Sequence, residues 1–323
     1  MRINRGLLKW GLFFIVLGAV PLAVRQGLVD EDTVARAWTL WPLLLVLAGI
    51  ALLLRRTPVE TAADLAVSVL FGLIAGGLLA SGTVPVAGCG DDQAGQPFQA
   101  RSGDLADRAD VELELSCGEL TVQVAEGTRW TVEGADEDGD GPRLDASSGS
   151  LEVRSDRDTG FLDARDRWTV TLPAASEIAL DARVNAGAGR LDLANARLRA
   201  LHVGVNAGEA TIDLGEVAAL GELDIELNAV GNPRIVLPNL SFSGRIEANA
   251  AGGVRICAPV GAGLRFTVND SFAASHNFAA RGLTQDGNVW STPGFDQAAT
   301  RIDLRTQVNA GNFELEPEGA CDA

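Results

Sequence analysis

Between residues 177 and 317 apolar side chains alternate with polar ones in short runs, and each pair of runs is hinged on the same small motif. Leu201, Val203 and Val205 alternate with other residues, Asn206-Ala207-Gly208 follows, and then Ala210, Ile212 and Leu214 alternate again. Period-two alternation marks two half-buried strands, and Asn with Gly suits a tight corner because both tolerate left-handed backbone. The motif recurs around Asn185, Asn206, Asn228 and Asn249, at steps of 21, 22 and 21 residues, and again at Asn309. A constant step of this length predicts a β-solenoid or β-roll with rungs of about 21 residues, each burying its apolar face against the next. Stacking would bring the five asparagines into a ladder. Weaker copies, at Ser116-Cys117-Gly118 and Ser147-Ser148-Gly149, bring the expected corners to seven. An all-β sandwich is the rival architecture, since it also shows short alternating strands with turn signals.

The first part of the chain has a different pattern. Trp10–Val24 is apolar throughout, Ala37–Leu54 contains Thr39 as its single polar residue, and Leu65–Val84 contains Ser68, Ser81 and Thr83. Each approaches the roughly 20 residues a helix needs to cross a bilayer. The expected organisation is a three-helix transmembrane module over 1–86, a linker over 87–104 and the β-domain over 105–323. Arg2, Arg5 and Lys9 precede the first run, and Arg55 and Arg56 separate the second from the third. The positive-inside rule therefore places the N-terminus in the cytoplasm and, after three crossings, the β-domain outside. A cleavable signal peptide is the competing account of the first run.

The run Gly11-Leu12-Phe13-Phe14-Ile15-Val16-Leu17-Gly18, a polar loop, then Trp41-Pro42-Leu43-Leu44-Leu45-Val46-Leu47-Ala48-Gly49-Ile50 and a basic stop resembles the LiaI-LiaF-like transmembrane region of bacterial envelope-stress proteins. Gly208–Leu214 and Asn232-Pro233-Arg234-Ile235-Val236-Leu237-Pro238 resemble the repeated strands of LiaF-type and candidate-adhesin β-domains. The resemblance implies a non-enzymatic membrane protein, and in LiaF-like proteins one that restrains a partner sensor kinase until the cell wall is stressed.

Charge narrows the partners. Residues 90–323 hold 19 Arg and no Lys against 38 Asp and Glu, a net of −19. Nucleic acid is excluded as a natural ligand, because the phosphate backbone needs the opposite sign. The four cysteines, Cys89, Cys117, Cys257 and Cys321, all follow the third apolar run, which suits an oxidising compartment. Strands about 4.8 Å apart would hold the first and sixth rungs too far apart for a bond between Cys117 and Cys257. The expected pairs are Cys257 with Cys321 and Cys89 with Cys117. Val86-Ala87-Gly88-Cys89 also reads as a lipid-attachment signal.

Asp136, Asp138 and Asp140, with Gly141, form the opening half of a calcium loop, although Ser147 stands where the closing Glu belongs. A solvated hairpin turn is the competing account. Material for catalysis is sparse: the histidines are His202 and His276, and no nucleophile elbow, His-Glu-x-x-His or phosphate-binding Gly loop occurs. His202 falls on the strand face opposite the core pattern. No cofactor is expected. Together with this lack of catalytic groups, the resemblance implies an envelope sensor or regulator that contacts a sensor kinase or another envelope protein, with a membrane-anchored adhesive module as the alternative and a glycan-active enzyme third.

Overall fold

The computed structural model describes residues 95–155, 166–249, 252–269, 274–309 and 311–317, with 319 and 321. The chain divides into two compact units, Met1–Gly88 and Cys89–Ala323. The three apolar runs lie outside the described residues, among which no helix is long and apolar enough to cross a membrane. All the described strands belong to the second unit.

Two short strands, β1 (Gln96–Pro97) and β2 (Arg101–Asp104), precede the long β3 (Arg108–Ala125), and both pair antiparallel with β4 (Arg129–Asp136). Next come β5 (Arg143–Ala146), β6 (Ser150–Arg154) and β7 (Asp166–Pro173). The regular coils are β8 (Glu177–Asp192), β9 (Arg197–Asp213), β10 (Ala219–Val230) with β11 (Arg234–Val236), and β12 (Phe242–Ala248) with β13 (Gly253–Ala258). The chain then forms β14 (Gly263–Val268), β15 (Ala274–His276), β16 (Thr284–Asp286), β17 (Val289–Ser291), β18 (Arg301–Val308) and β19 (Gly311–Pro317).

Parallel pairing stacks these strands as coils that turn at the Asn corner, giving each coil one strand in a first wall and one in a second. Along the first wall the order is β5, β6, β3, β8, β9, β10, β12, β18, β14, β17, β16. Along the second it is β4, β7, β3, β8, β9, β11, β13, β19, β15. Space and sequence disagree at both ends. The coil β6–β7 lies outside β3 although it follows it, and β18–β19 lies between β12–β13 and β14–β15.

Inward side chains form continuous rows across the coils. Leu113, Ala182, Val203, Ile225, Ile246, Thr306 and Val268 line one row of the first wall, and Val122, Leu191, Ile212, Ile235, Ile256 and Leu315 one row of the second; all are buried. No coil can bury these faces alone, so stability comes from the stacking. At the corners of β3, β8 and β9 the coils come into close backbone contact. A Cβ on Gly208 would lie 1.8 Å from the Gly187 carbonyl oxygen, and one on Gly187 1.8 Å from that of Gly118; both glycines have φ of 124°. Only glycine fits there.

Each end is closed by strands that run against the coils. β5, and β4 with β1 and β2, seal one end; β17 with β16 covers β14 at the other. Buried Trp130 and Trp168 fill the core at the first end. At the second, Phe278 stacks on Phe266 and on His276 at 4.5 Å, and Trp290 meets His276 edge-on at 4.9 Å. Reversed edge strands deny another parallel coil a template, which is how an open stack avoids edge-to-edge association.

Two expectations need correcting. β1 and β2 fall within 87–104, so part of the segment expected as a linker is paired into the sheet. Ser147-Ser148-Gly149 is the turn of the antiparallel β5–β6 hairpin, not a coil corner. The same residues suit both kinds of turn, and the difference lies in which partner β5 finds.

Candidate functional site

On the outer face of the first wall, strand register gathers ionisable residues that are far apart in sequence. One row runs Asp145, Glu152, Glu112, Asp181, His202, Asp224, Arg245 across β5, β6, β3, β8, β9, β10 and β12. The neighbouring row runs Asp110, Ala179, Ala200, Glu222. Because Ala179 and Ala200 are small, the centre of this second row sinks below its ends. The result is a groove of about 500 Å³ whose polar lining includes Asp110, Glu112, Asp145, Glu152, Asp181, Glu222, Asp224 and His202.

Carboxylates on strands about 4.8 Å apart repel one another unless cations intervene. Arginines at the margins supply them. Arg154 Nη2 donates to Glu112 at 3.0 Å, while its Nε lies 3.0 Å from Glu152 and 3.8 Å from Glu114. The hydrogen bond to Glu112 is the main cause of an Arg154 pKa above its ordinary value; burial opposes it, and the fields of Glu112, Glu152 and Glu114 add to it. Arg183 bonds Asp181 at 2.6 Å and lies 3.7 Å from Glu112. Arg245 grips Asp224 with two bonds, of 2.9 and 2.8 Å, and reaches Glu226 at 3.1 Å; the Asp224 hydrogen bond is the main cause of its raised pKa. His202 Nδ1 stands 3.5 Å from the same Asp224.

Arg199 has a special placement. Leu198 pairs with Ile178 but Ala200 pairs with Ala179, so Arg199 is the extra residue of a β-bulge. Bulges re-aim a side chain, and this one sends the guanidinium across β8 to Asp110 of β3, where it also reaches the Ala109 carbonyl at 3.5 Å. The groove is therefore an organised negative surface with fixed geometry. Among the described residues, no set of three or more His, Cys, Asp and Glu is placed to hold a metal. The arrangement favours electrostatic recognition of cationic groups.

The structure brings the five asparagines together. Asn206 Nδ2 donates to Asn185 Oδ1 at 2.8 Å, Asn228 to Asn206 at 2.7 Å, Asn249 to Asn228 at 2.6 Å, and Asn309 to Asn249. The sequence separations are 21, 22 and 21, then 60, because the segment forming β14 to β17 loops out before the chain returns. Cys257 and Cys321 are joined in a disulfide with Cα atoms 6.1 Å apart, buried with Val236 on the outer face of the second wall. Cys117 is also disulfide-bonded, and Cys89 lies outside the described residues.

Asp136 is buried, and its two carboxylate oxygens accept the amides of Gly139 at 2.6 Å and Gly141 at 2.7 Å. Arg101 fastens the same loop through the carbonyls of Asp140 and Pro142, both at 2.8 Å. The carboxylate that would open a calcium loop is thus turned onto its own turn, with Asp138 and Asp140 beside it. The groove, by contrast, was not legible in the sequence. Its residues span 110–224, and only the register assembles them.

Residues 8–53 match the model of the LiaI-LiaF-like transmembrane region, and residues 92–232 match the N-terminal domain of toast_rack, DUF2154. The chain thus carries a LiaI-LiaF-like transmembrane region followed by a toast_rack N-terminal domain. The toast_rack match ends just past β10, so the later coils and the inserted β18–β19 lie beyond it. No curated protein matches this chain. Among solved structures, a candidate cell adhesion protein from Clostridium sporogenes aligns at 14% identity with a TM-score of 0.44, covering 68% of this chain and 99% of that one. A candidate adhesin from Bacteroides fragilis aligns at 10% identity with a TM-score of 0.25, covering 68% and 96%. The transmembrane-region match makes the protein membrane-associated.

Proposed function

We propose that this protein is an accessory component of bacterial envelope-stress signalling. Three N-terminal helices cross the membrane with the N-terminus in the cytoplasm, and the β-stack, built on a repeat of about 21 residues, projects outside. It works by contact, not by chemistry. The stack meets a cell-wall component or another protein, while the helices engage a membrane partner such as a sensor kinase.

The observation that supports this reading best is the joining of a LiaI-LiaF-like transmembrane region, at 8–53, to a rigid β-stack. The outer groove of that stack is lined by paired charges. Such a surface suits recognition through complementary charge, which contributes specificity and association rate. The test is cross-linking of the full-length chain in native membranes followed by mass spectrometry. Enrichment of a histidine kinase or an envelope protein supports the reading. Enrichment of neither, with function retained after the three helices are replaced by an unrelated anchor, would indicate a surface module that needs only to be tethered.

A further inference from the structure

The coil β18–β19 is inserted. It forms seven register pairs with β12 and six with β13 on one side, and pairs in parallel with β14 and β15 on the other. Yet β14 follows β13 directly in sequence, after a turn at 259–262. Among the described residues, β14 and β15 pair in parallel with β18 and β19 and not with β12 or β13, so apart from the 259–262 turn the strand pairing that joins the end cap to the stack runs through the inserted coil. Withdrawal of that coil would release the cap together with it. It would also uncover the full parallel edges of β12 and β13, whose inward residues Ile246, Ala248, Val254 and Ile256 are fully buried. An exposed, regular edge of this kind is a template for pairing, and the segment that matches it in register and in apolar pattern is the same coil of another copy.

The coil carries fasteners of its own. Cys321, on the tail beyond β19, is bonded to Cys257 of β13, and the two are 1% and 0% exposed. Arg234 of β11 donates to the Cys321 carbonyl, and Arg281 pairs with Glu316 of β19. One feature of the insert opposes retention: Thr306 is 1% exposed with its hydroxyl unpaired, in a row where the flanking residues are Ile246 and Val268. A buried hydroxyl without a partner costs free energy.

We propose that β18–β19 is an exchangeable coil whose seat on β12–β13 accepts the same coil of a second copy, and that the Cys257–Cys321 disulfide is the latch that keeps it in its own chain. The experiment uses full-length chains in detergent carrying Cys257→Ser or Cys321→Ser, held singly and as a mixture under mild denaturant. They are then returned to native buffer with oxidised glutathione, which takes the two electrons and two protons lost as two thiols become a disulfide. Exchange seats the Cys321 coil of one variant against Cys257 of the other. The mixture is then expected to yield a covalent dimer at twice the 33.7 kDa chain mass, with the Cys257 and Cys321 peptides linked between chains, and neither variant alone yields that linkage. A mixture that stays monomeric while both variants keep native circular dichroism overturns the proposal, as do dimers linked only through like cysteines. Where a variant fails to fold, wild-type chains of two isotopic compositions are reduced with a dithiol, mixed and reoxidised. Linked peptides of mixed isotope support exchange, and uniformly unmixed ones refute it.

Discussion

Replacing Asn206 with Ala tests the corner ladder in a way that separates it from general surface damage. Asn206 donates one ladder bond, to Asn185, and accepts another, from Asn228, whereas Asn185 takes part in one, as acceptor. A side-chain hydrogen bond contributes about 0.5–1.5 kcal/mol net. Both groups stand at the surface, where water can replace a lost partner, so the lower half of that range applies. With two bonds lost, Asn206→Ala is therefore expected to cost about 1–2 kcal/mol and Asn185→Ala about half as much. For a domain of this size each kcal/mol lowers the melting temperature by about 2–4 °C. Urea unfolding of the β-unit, followed by circular dichroism, gives both free energies directly. The double variant Asn206→Ala with Asn228→Ala should cost less than the sum of the singles, because the two residues share one bond. Equal losses for Asn185→Ala and Asn206→Ala, or full additivity in the double variant, would refute the ladder as a source of stability.

Other outcomes are expected from the same geometry. Gly208→Ala should cost at least about 1–3 kcal/mol, read by the same unfolding curves, because φ of 124° strains an L-residue and the new Cβ meets the Gly187 oxygen. Reducing Cys257–Cys321, which closes a separation of 64 residues, should lower stability by up to about 4 kcal/mol in the chain-entropy account, measured as the shift in urea midpoint. The hydrogen bond from Arg108, and then its charge, hold the Glu177 carboxyl below its ordinary value of 4.5. Its folded pKa is thus depressed, so the contribution is present above pH 4.5 and is lost as pH falls through the lower folded value. Glu177→Gln should therefore cost a small amount of stability at neutral pH, small because both partners are exposed, and nothing below the folded value, which pH-dependent urea unfolding will show. Arg154→Gln removes the cation from among Glu112, Glu114 and Glu152 and leaves the three carboxylates facing one another, so it should lower the urea midpoint at neutral pH at low salt, and by less at high salt.

The repeating parts of this chain are legible in its sequence because each repeat carries its own signal. Alternation marks the strands, and the Asn-Ala-Gly motif marks the corner, where a tight backbone approach demands glycine at Gly187 and Gly208. Adjacency carries no such signal. Every coil presents the same kind of apolar row, so nothing local distinguishes β18–β19 as the neighbour of β12–β13 from β14–β15 in that place. The groove was hidden for the same reason: Ala179 and Ala200 look like ordinary strand residues until register sets them between Asp110 and Glu222. Arg199 was hidden further, since a bulge breaks the alternation from which facing is read. At Asp136 the spacing suited both a calcium loop and a turn, and the carboxylate accepts the amides of its own turn.

Contact with envelope partners requires the β-stack to stand outside the membrane, and that placement can be measured. Val260, at the turn between β13 and β14, is 83% exposed and offers the most direct probe. With Val260→Cys in the full-length chain, a membrane-impermeant maleimide is applied to intact spheroplasts and to lysed ones. Equal labelling in both is the expected result. Labelling that appears only after lysis would contradict it, placing the stack in the cytoplasm and its partners with it.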